Sequence, residues 1–295
     1  MASEIAVDLI ERQEWMEPVE ERLQHALTGA YEAAGGSGQK VKNFLHGTWL
    51  GHPLHAVLTD IPIGAWTTAL VLDALDDGSR RHRGLRRAAD TALGFGLLSV
   101  LPTAAAGITD WQATHGPARR VGLSHAVLNV AATALFTASW AMRRGGARRG
   151  GKLLALAGYG LTLGSAYLGG HLVYKKRIGV DHTAGQPFPE EFVAVLPETE
   201  LLPGEMRRVD AGGVKVLLSR PGGEICAIAE VCAHMGGPLA EGEAAGDTVR
   251  CPWHGSRFSL RTGEVIDGPS THPQPCLETR VRNGQIEVRL KRSAE

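Results

Sequence analysis

Four long apolar segments constrain this chain more than any other feature. They cover residues 54–75, 88–108, 124–142 and 153–172. Each is close to the ~20 residues with which a helix crosses the hydrocarbon core of a bilayer. A soluble bundle of buried helices is the alternative, but helices in such bundles carry a polar face, and these segments show almost none. The sequence therefore predicts a four-helix transmembrane bundle in contact with the lipid bilayer.

The polar stretches on either side of these segments complete the predicted organisation. Residues 1–45 have the composition of an acidic helical segment, 46–175 form the four-span domain, and 176–191 form a linker. Residues 192–292 alternate short β-prone runs with turn signals, among them the hairpin dipeptide Asn283-Gly284. The predicted fold class is multi-domain: a four-helix transmembrane bundle followed by a small antiparallel all-β domain. Acidic and basic residues number 31 each, so nucleic acid is not an expected partner.

Two short motifs in the β-prone region each combine a thiolate ligand with an imidazole ligand. One is Cys232-Ala233-His234, and the other is Cys251-Pro252-Trp253-His254. A Cys2His2 set can hold zinc, but zinc-finger spacing pairs Cys with Cys and His with His, whereas each motif here mixes the two. The mixed motifs favour a [2Fe–2S] cluster with two Cys on one iron and two His on the other.

The stretches C-A-H-M-G-G-P-L and C-P-W-H-G-S, with the later Gly268-Pro269, resemble Rieske ferredoxin domains over about residues 192–290. The resemblance implies a [2Fe–2S] cofactor held by Cys232, His234, Cys251 and His254, and a role in single-electron transfer. It also implies a set of residues that surround the cluster, namely Trp253, Ser256, Phe258 and Pro269.

The sequence departs from the Rieske proteins of quinol-oxidising cytochrome complexes. Those proteins add a disulfide cysteine to each loop, and Gly237 and Trp253 occupy these positions here. The loops therefore resemble more closely the ferredoxins that serve aromatic-ring oxygenases. Ser256 matches a Ser that donates to a cluster sulfur, but Phe258 stands where a donating Tyr would be. The resemblance thus implies a potential in the lower part of the Rieske range of about −150 to +300 mV.

The stretch from Gly51 to Trp66 resembles a family of small four-span bacterial membrane proteins of unassigned function with an H-P-x-H motif. His52 and His55 are three residues apart and would share one face of a helix. Because successive spans alternate in direction, we expect four span-associated histidines to gather near one membrane face. They are His52, His55, His125 and His171, with Asp60 lying deeper in the first span.

Two interpretations of these histidines stay open. Interfacial histidines often cap helix ends without further role. Alternatively, a pair of them holds a b-type haem or another metal, and Asp60 orients a ligand or accepts a proton from a quinol. The second interpretation would connect a membrane quinone to the cluster.

The domain combination predicts a membrane-anchored electron carrier between a membrane donor, such as quinol or b-type haem, and a redox protein partner. In a second interpretation, the domain is a tethered ferredoxin that supplies a separate oxygenase, and the spans are only an anchor. A third, a non-redox scaffold, conflicts with the intact ligand set. A self-contained Rieske oxygenase needs a large following domain with a mononuclear iron, and only 41 residues follow His254. We therefore expect an electron-transfer component rather than a stand-alone enzyme.

The expected location is the bacterial plasma membrane, as an integral protein. Ten Lys and Arg residues lie in the loops opposite the predicted Rieske face, against seven on that face. This distribution leans towards an extracytoplasmic Rieske domain, whereas the missing disulfide favours the cytoplasm. The sequence leaves the side undecided.

Overall fold

The computed structural model describes residues 2–291, which form two compact units. The helical unit consists of residues 2–38 and 54–178, and the β unit consists of residues 39–53 and 179–291. These units differ from the predicted domain boundaries in two respects. The predicted linker 176–191 is divided between them at residue 178. The segment 39–53, which the sequence divides between the acidic segment and the four-span domain, belongs to the β unit.

Seven α-helices occur in the described part of the chain. They are α1 (Ala2–Glu11), α2 (Glu17–Ala33), α3 (Gly35–His46), α4 (Leu54–Leu75), α5 (Arg83–Trp111), α6 (Gly116–Arg144) and α7 (Arg148–Tyr174). Of these, α4 to α7 are long and apolar enough to cross a membrane, which confirms the predicted fold class. Large apolar side chains on their outer surfaces are widely exposed, as Leu98 and Val130 are at 69% and 70%. Such exposure is typical of a surface that faces lipid.

The inside of the helical unit is small and tightly packed. Helix α4 packs mainly on α5, and α6 packs mainly on α7. Trp66, Leu93, Phe136 and Ala155 form the centre of the bundle. Helix α1 packs through Val7 on α6 and α7. Close packing of this kind is what drives helix association in lipid, where hydrophobic burial contributes little.

Buried ion pairs join neighbouring helices of the helical unit near the two ends of α6. Near the start of α6, Arg119 Nε donates to Oε2 of the fully buried Glu20 of α2 at 2.9 Å. Near the end of the same helix, the buried Arg143 pairs with Asp73 of α4. A buried charge is tolerated only when it is paired in this way. The acidic N-terminal helix α2 is thereby fixed to the bundle.

The β unit contains ten strands in two antiparallel sheets. The strands are β1 (Val193–Pro197), β2 (Met206–Asp210), β3 (Lys215–Ser219), β4 (Cys226–Ala229), β5 (Glu243–Ala245), β6 (Thr248–Arg250), β7 (Arg257–Ser259), β8 (Val265–Asp267), β9 (Cys276–Arg282) and β10 (Gln285–Leu290). The larger sheet has the order β1-β10-β9-β4-β3-β2, and the smaller has the order β5-β6-β7-β8.

Strand β9 turns into β10 at Asn283-Gly284, where both residues have positive φ, 52° and 73°. Positive φ at both central residues is the geometry of the tight hairpin that this dipeptide predicts. Val216, Leu218, Ile286 and their neighbours fill the core of the larger sheet. The smaller sheet packs around Phe258, in an apolar cluster that also contains Ile228 of β4 and the cysteines Cys232 and Cys251. This arrangement positions the mixed Cys/His motifs.

Candidate metal centre

The first mixed motif lies in the loop that follows β4. The amide of Cys232 donates to Gly237 O at 2.8 Å, and the amide of Gly236 donates back to Cys232 O at 2.8 Å. Gly236 has φ of 79°, a conformation that glycine adopts without strain. This tight turn aims the backbone N–H groups of His234 and Met235 at Cys232 Sγ.

The second motif repeats this geometry between β6 and β7. The amide of Cys251 donates to Ser256 O at 2.8 Å, and the amide of Gly255 donates to Cys251 O at 3.1 Å. Here the N–H groups of Trp253 and His254 are aimed at Cys251 Sγ. The two loops therefore have the same hydrogen-bond pattern, and each directs two backbone N–H groups at its cysteine sulfur.

The fold brings the two loops together. The His234 and His254 rings meet edge to face, with centroids 5.0 Å apart. Cys232 and Cys251 are 1% and 3% exposed, and neither forms a disulfide. The Cys232 thiol and the backbone amides lower the pKa of Cys251 to about 7, whereas the hydrogen bond to Cys251 and burial raise the pKa of Cys232. Cys251 therefore loses its proton more readily than Cys232, and the thiolate is the form in which a cysteine binds metal.

The chemistry of this donor set fits a [2Fe–2S] cluster. The two buried sulfurs of Cys232 and Cys251 would hold one iron, and the two partly buried imidazoles of His234 and His254 would hold the other. Amide groups aimed at sulfur stabilise its negative charge. A Cβ added at Gly237 would lie 2.9 Å from Cys251 Sγ and 3.1 Å from the Trp253 ring. A larger residue at position 237 therefore does not fit beside the sulfur.

The predicted cluster environment surrounds these loops. Ser256 and Pro269 are buried, and Ser256 Oγ accepts a hydrogen bond from the amide of Ser270 at 3.0 Å. Phe258 is fully buried in the same apolar cluster as Cys232 and Cys251. Trp253, in contrast, is 56% exposed. Among these four residues, Trp253 is therefore the one whose large apolar side chain lies on the surface of the β unit.

Sequence reasoning missed residues that support the cluster loops from a distance. The amide of His182 donates to Ala233 O at 3.0 Å. On α3, Asn43 Nδ2 donates to Asp267 Oδ1 at 2.9 Å, and Asn43 Oδ1 accepts from the amide of Gly268 at 3.1 Å. No sequence signal joins these positions, because an isolated Asn or His matches no motif.

The membrane histidines divide between the two units. His52 precedes α4, which begins at Leu54, and its ring centroid is 6.1 Å from that of His272 in the β unit. The prediction that His52 shares a helix face with His55 is therefore wrong. The cause is local, because a residue that precedes proline is disfavoured in the helical conformation, and Pro53 follows His52.

The other predicted histidines lie in the helical unit. The His55 and His125 rings meet edge to face, with centroids 6.2 Å apart. His171 is engaged elsewhere, since its Nε2 lies 3.3 Å from Oε1 of Glu11 on α1. Asp60 is exposed on α4, and the partner of His55 Nδ1 is Thr103 O rather than this carboxylate. Asp60 therefore does not hold Nδ1 of His55, and His55 and His125 are the two predicted membrane histidines whose rings meet in the helical unit.

Comparisons with known proteins agree with the two units. Residues 191–279 match the model of the Rieske [2Fe-2S] domain, and residues 51–182 match DUF2231, a family described as a predicted membrane protein. Ferredoxin CarAc of Metapseudomonas resinovorans is 32% identical over 98 residues, which cover 33% of this chain and 92% of that protein. The ferredoxin subunit of 3-phenylpropionate/cinnamic acid dioxygenase of Escherichia coli is 35% identical over 95 residues, 32% of this chain and 89% of that one.

A longer relative and a solved structure match the same region. Human apoptosis-inducing factor 3 is 33% identical over 126 residues, and the chain spans about a fifth of its length, since the match covers 20% of that protein and 42% of this one. The ferredoxin of carbazole 1,9a-dioxygenase from Nocardioides aromaticivorans is 29% identical, with a TM-score of 0.33, over 34% of this chain and 98% of that chain.

The fold and the paired loops define an iron–sulfur protein of the electron-transfer class. The chain belongs to the Rieske [2Fe-2S] family through its C-terminal domain, and a DUF2231 membrane domain precedes that domain. A Rieske domain implies a [2Fe–2S] cluster. The four apolar helices make this chain an integral membrane protein.

Proposed function

We propose that Cys232, His234, Cys251 and His254 ligate the [2Fe–2S] cluster, and that the protein is a membrane-anchored carrier of single electrons. The matched hydrogen-bond pattern of the two loops carries this proposal. It holds two sulfurs and two imidazoles in equivalent positions, as a cluster with two ligands on each iron requires.

The chain's own residues suit this role. The bound cluster supplies one-electron redox chemistry. The amides of the two loops stabilise negative charge on Cys232 and Cys251, and the apolar cluster around Phe258 excludes water from these sulfurs. The imidazoles of His234 and His254 are only partly buried, next to the exposed Trp253. Electrons therefore have a short path from the imidazole side to a redox protein that docks over this surface.

The composition of the purified protein tests the ligand assignment. Full-length protein in detergent should contain about two irons and two acid-labile sulfides, and it should show a rhombic Rieske EPR signal when reduced. His234→Cys should shift the spectrum towards that of a four-thiolate ferredoxin, because the ligand is replaced rather than lost. His272→Cys, on a neighbouring loop of the same unit, is the matched control. Stoichiometric zinc without iron would contradict the proposal.

The electron donor in this proposal is a membrane component, either a quinol or a b-type haem held by the helical unit. The fusion of the cluster domain to four spans supports such a donor. The alternative, a tethered ferredoxin that supplies a separate oxygenase, is supported by a relative that is by name the ferredoxin subunit of a dioxygenase. In that case the helical unit is only an anchor.

Reduction of the cluster in proteoliposomes distinguishes a quinol donor in the membrane from a soluble reductase. Decylubiquinol added to the vesicles should reduce the cluster if the donor is a quinol, and the EPR signal should appear without a soluble protein. If only an added NADH-dependent ferredoxin reductase produces the signal, the tethered-ferredoxin function replaces the first proposal. Protein with Cys232→Ser, which lacks a cluster ligand, controls for radicals of the quinol itself.

We propose that the cluster domain lies outside the cytoplasm. The excess of Lys and Arg in the loops on the opposite face of the membrane supports this location. A membrane-impermeant maleimide should then label Arg282→Cys, at an exposed position of β9, in intact cells, whereas labelling only after permeabilisation is the reverse result. The reverse result would place the domain in the cytoplasm.

A further inference from the structure

The helical unit is built from two copies of one helix hairpin. The buried positions of α4 recur in α6 at a spacing of 70 residues, and those of α5 recur in α7 at a spacing of 62 residues. For α4 and α6 the equivalent buried pairs are Pro62 with Ala132, Trp66 with Phe136, Ala69 with Ser139, and Asp73 with Arg143. For α5 and α7 they are Ala89 with Gly151, Leu93 with Ala155, Gly96 with Gly158, Thr103 with Ser165, and Ala106 with Leu168.

Equivalent residues of the two hairpins also meet each other. The Trp66 and Phe136 rings stack with centroids 4.0 Å apart. Asp73 forms an ion pair with Arg143. Residues on a two-fold axis contact their own equivalents, as in a symmetric dimer interface. The α4–α5 hairpin and the α6–α7 hairpin are therefore related by a pseudo-two-fold axis that runs along the bundle.

His55 and His125 are the third pair on this axis. They obey the same spacing of 70 residues and open an identical stretch, H-A-V-L, at 55–58 and 125–128. Their ring centroids lie 6.2 Å apart, with the ring planes nearly perpendicular at 88°. A pair of imidazoles thus occupies the axis at the level of the first turns of α4.

Each of these imidazoles is held in the same way. His55 Nδ1 lies 2.9 Å from Thr103 O, and His125 Nδ1 lies 2.8 Å from the equivalent carbonyl, Ser165 O. A carbonyl only accepts hydrogen bonds, so both Nδ1 atoms carry the proton and both Nε2 atoms keep a lone pair. This is how metal-ligating histidines are oriented in proteins.

Glycines make room for both rings. A Cβ added at Gly107 would lie 2.7 Å from the His55 ring, and one added at Gly169 would lie 3.3 Å from the His125 ring. The two glycines are themselves equivalent positions of α5 and α7. Each hairpin therefore repeats the whole arrangement, with an imidazole, a carbonyl partner and a glycine that admits the ring.

We propose that His55 and His125 form a bis-imidazole metal site on the pseudo-two-fold axis, occupied by haem iron or by a bare transition-metal ion. Two metal–nitrogen bonds of about 2.0–2.1 Å, extended by the ring radii, agree with the 6.2 Å between the centroids when the two imidazoles lie on opposite sides of the metal. Ionisable side chains inside a membrane domain mark functional sites. Asn129 Nδ2 donates to the lone pair on His125 Nε2 at 3.1 Å, so the proposal requires the Asn129 side chain to move aside for a metal. The electron-carrier function stands without this site.

Metal content of the full-length protein tests the site. Protein expressed with 5-aminolevulinate is analysed by pyridine haemochrome for haem, and protein expressed without it is titrated with hemin and, separately, with Zn²⁺. We expect one equivalent of haem or of zinc per chain beyond the two cluster irons. His55→Ala and His125→Ala should each lower this occupancy at least tenfold. His25→Ala, on the exposed side of α2, is the matched control and should leave it unchanged.

Further variants keep the result interpretable. His55→Met retains a metal-ligating side chain, so it should keep haem and shift its optical bands if the occupant is haem. Cys232→Ser removes a cluster ligand and should leave the axial occupancy unchanged, so failure of the cluster assignment is distinguishable from failure of this site. Two outcomes overturn the proposal. One is protein with an intact Rieske EPR signal that binds neither hemin nor Zn²⁺, and the other is binding by both alanine variants at the wild-type level.

Discussion

The amide of Ser270 donates a 3.0 Å hydrogen bond to Oγ of Ser256, and both residues are buried at the edge of the second cluster loop. Because this Oγ already accepts from the backbone, its own proton is free to point in another direction. The resemblance to respiratory Rieske proteins assigns that proton to a cluster sulfur. The fixed position of Ser256 therefore supports a hydrogen bond that stabilises the reduced cluster.

Ser256→Ala should lower the reduction potential by several tens of millivolts, because one donor to the cluster is lost. Redox titration followed by EPR measures the change. Ser259→Ala, at the end of β7 and outside the two loops, is the control and should leave the potential unchanged. An equal potential in Ser256→Ala would mean that the hydroxyl does not reach the cluster.

Phe258→Tyr should change the potential in the opposite direction. Phe258 is fully buried in the apolar cluster that contains Cys232 and Cys251, the two proposed ligand cysteines. A phenol at this position adds a donor, and a donor to sulfur raises the potential by tens of millivolts. If the hydroxyl finds no partner, the variant instead loses about 1–3 kcal/mol of stability. A destabilised variant with an unchanged or lower potential would show that the ring does not face the cluster.

Gly237→Ala should reduce cluster occupancy. The added Cβ would lie 2.9 Å from Cys251 Sγ, a distance that forces either the sulfur or the loop to move. We expect a fall in iron and sulfide per chain and a lower temperature for bleaching of the visible absorption. Gly160→Ala, on α7 with open space around its Cα, is the matched control. Full occupancy with an unchanged bleaching temperature would contradict the assignment of Cys251 as a ligand.

The cluster loops and the spans could be predicted because their determinants are local. Each loop carries its two candidate ligands within four residues, and a span is defined by length and composition. The segment 39–53 could not be placed in this way. Its contact between Asn43 and Asp267 joins positions 224 residues apart. Nothing in the composition of α3 distinguishes a helix that packs on the β unit from one that extends the acidic segment.

The internal repeat of the helical unit could not be predicted from the sequence for a different reason. Equivalent positions on its axis carry different residues that complement each other, as Asp73 and Arg143 do. Trp66 and Phe136 likewise share shape rather than identity. Complementary contact across the axis does not require the same residue on both sides, so these positions carry no sequence identity. His55 and His125 are identical residues at equivalent positions, so the sequence indicated both of them as candidates. The predicted set also contained His52.

Asn43→Ala should weaken the attachment of segment 39–53 to the β unit. The side chain of Asn43 makes two hydrogen bonds, to Asp267 and to the amide of Gly268, next to the loop that contains Pro269. Loss of both partners costs about 1–3 kcal/mol, because the amide of the buried Gly268 is left without an acceptor. We expect the cluster to bleach at a lower temperature and segment 39–53 to exchange amide hydrogens faster. Lys40→Ala, at an exposed position of the same helix, should change neither quantity. Equal exchange in the two variants would mean that the segment is held by other contacts.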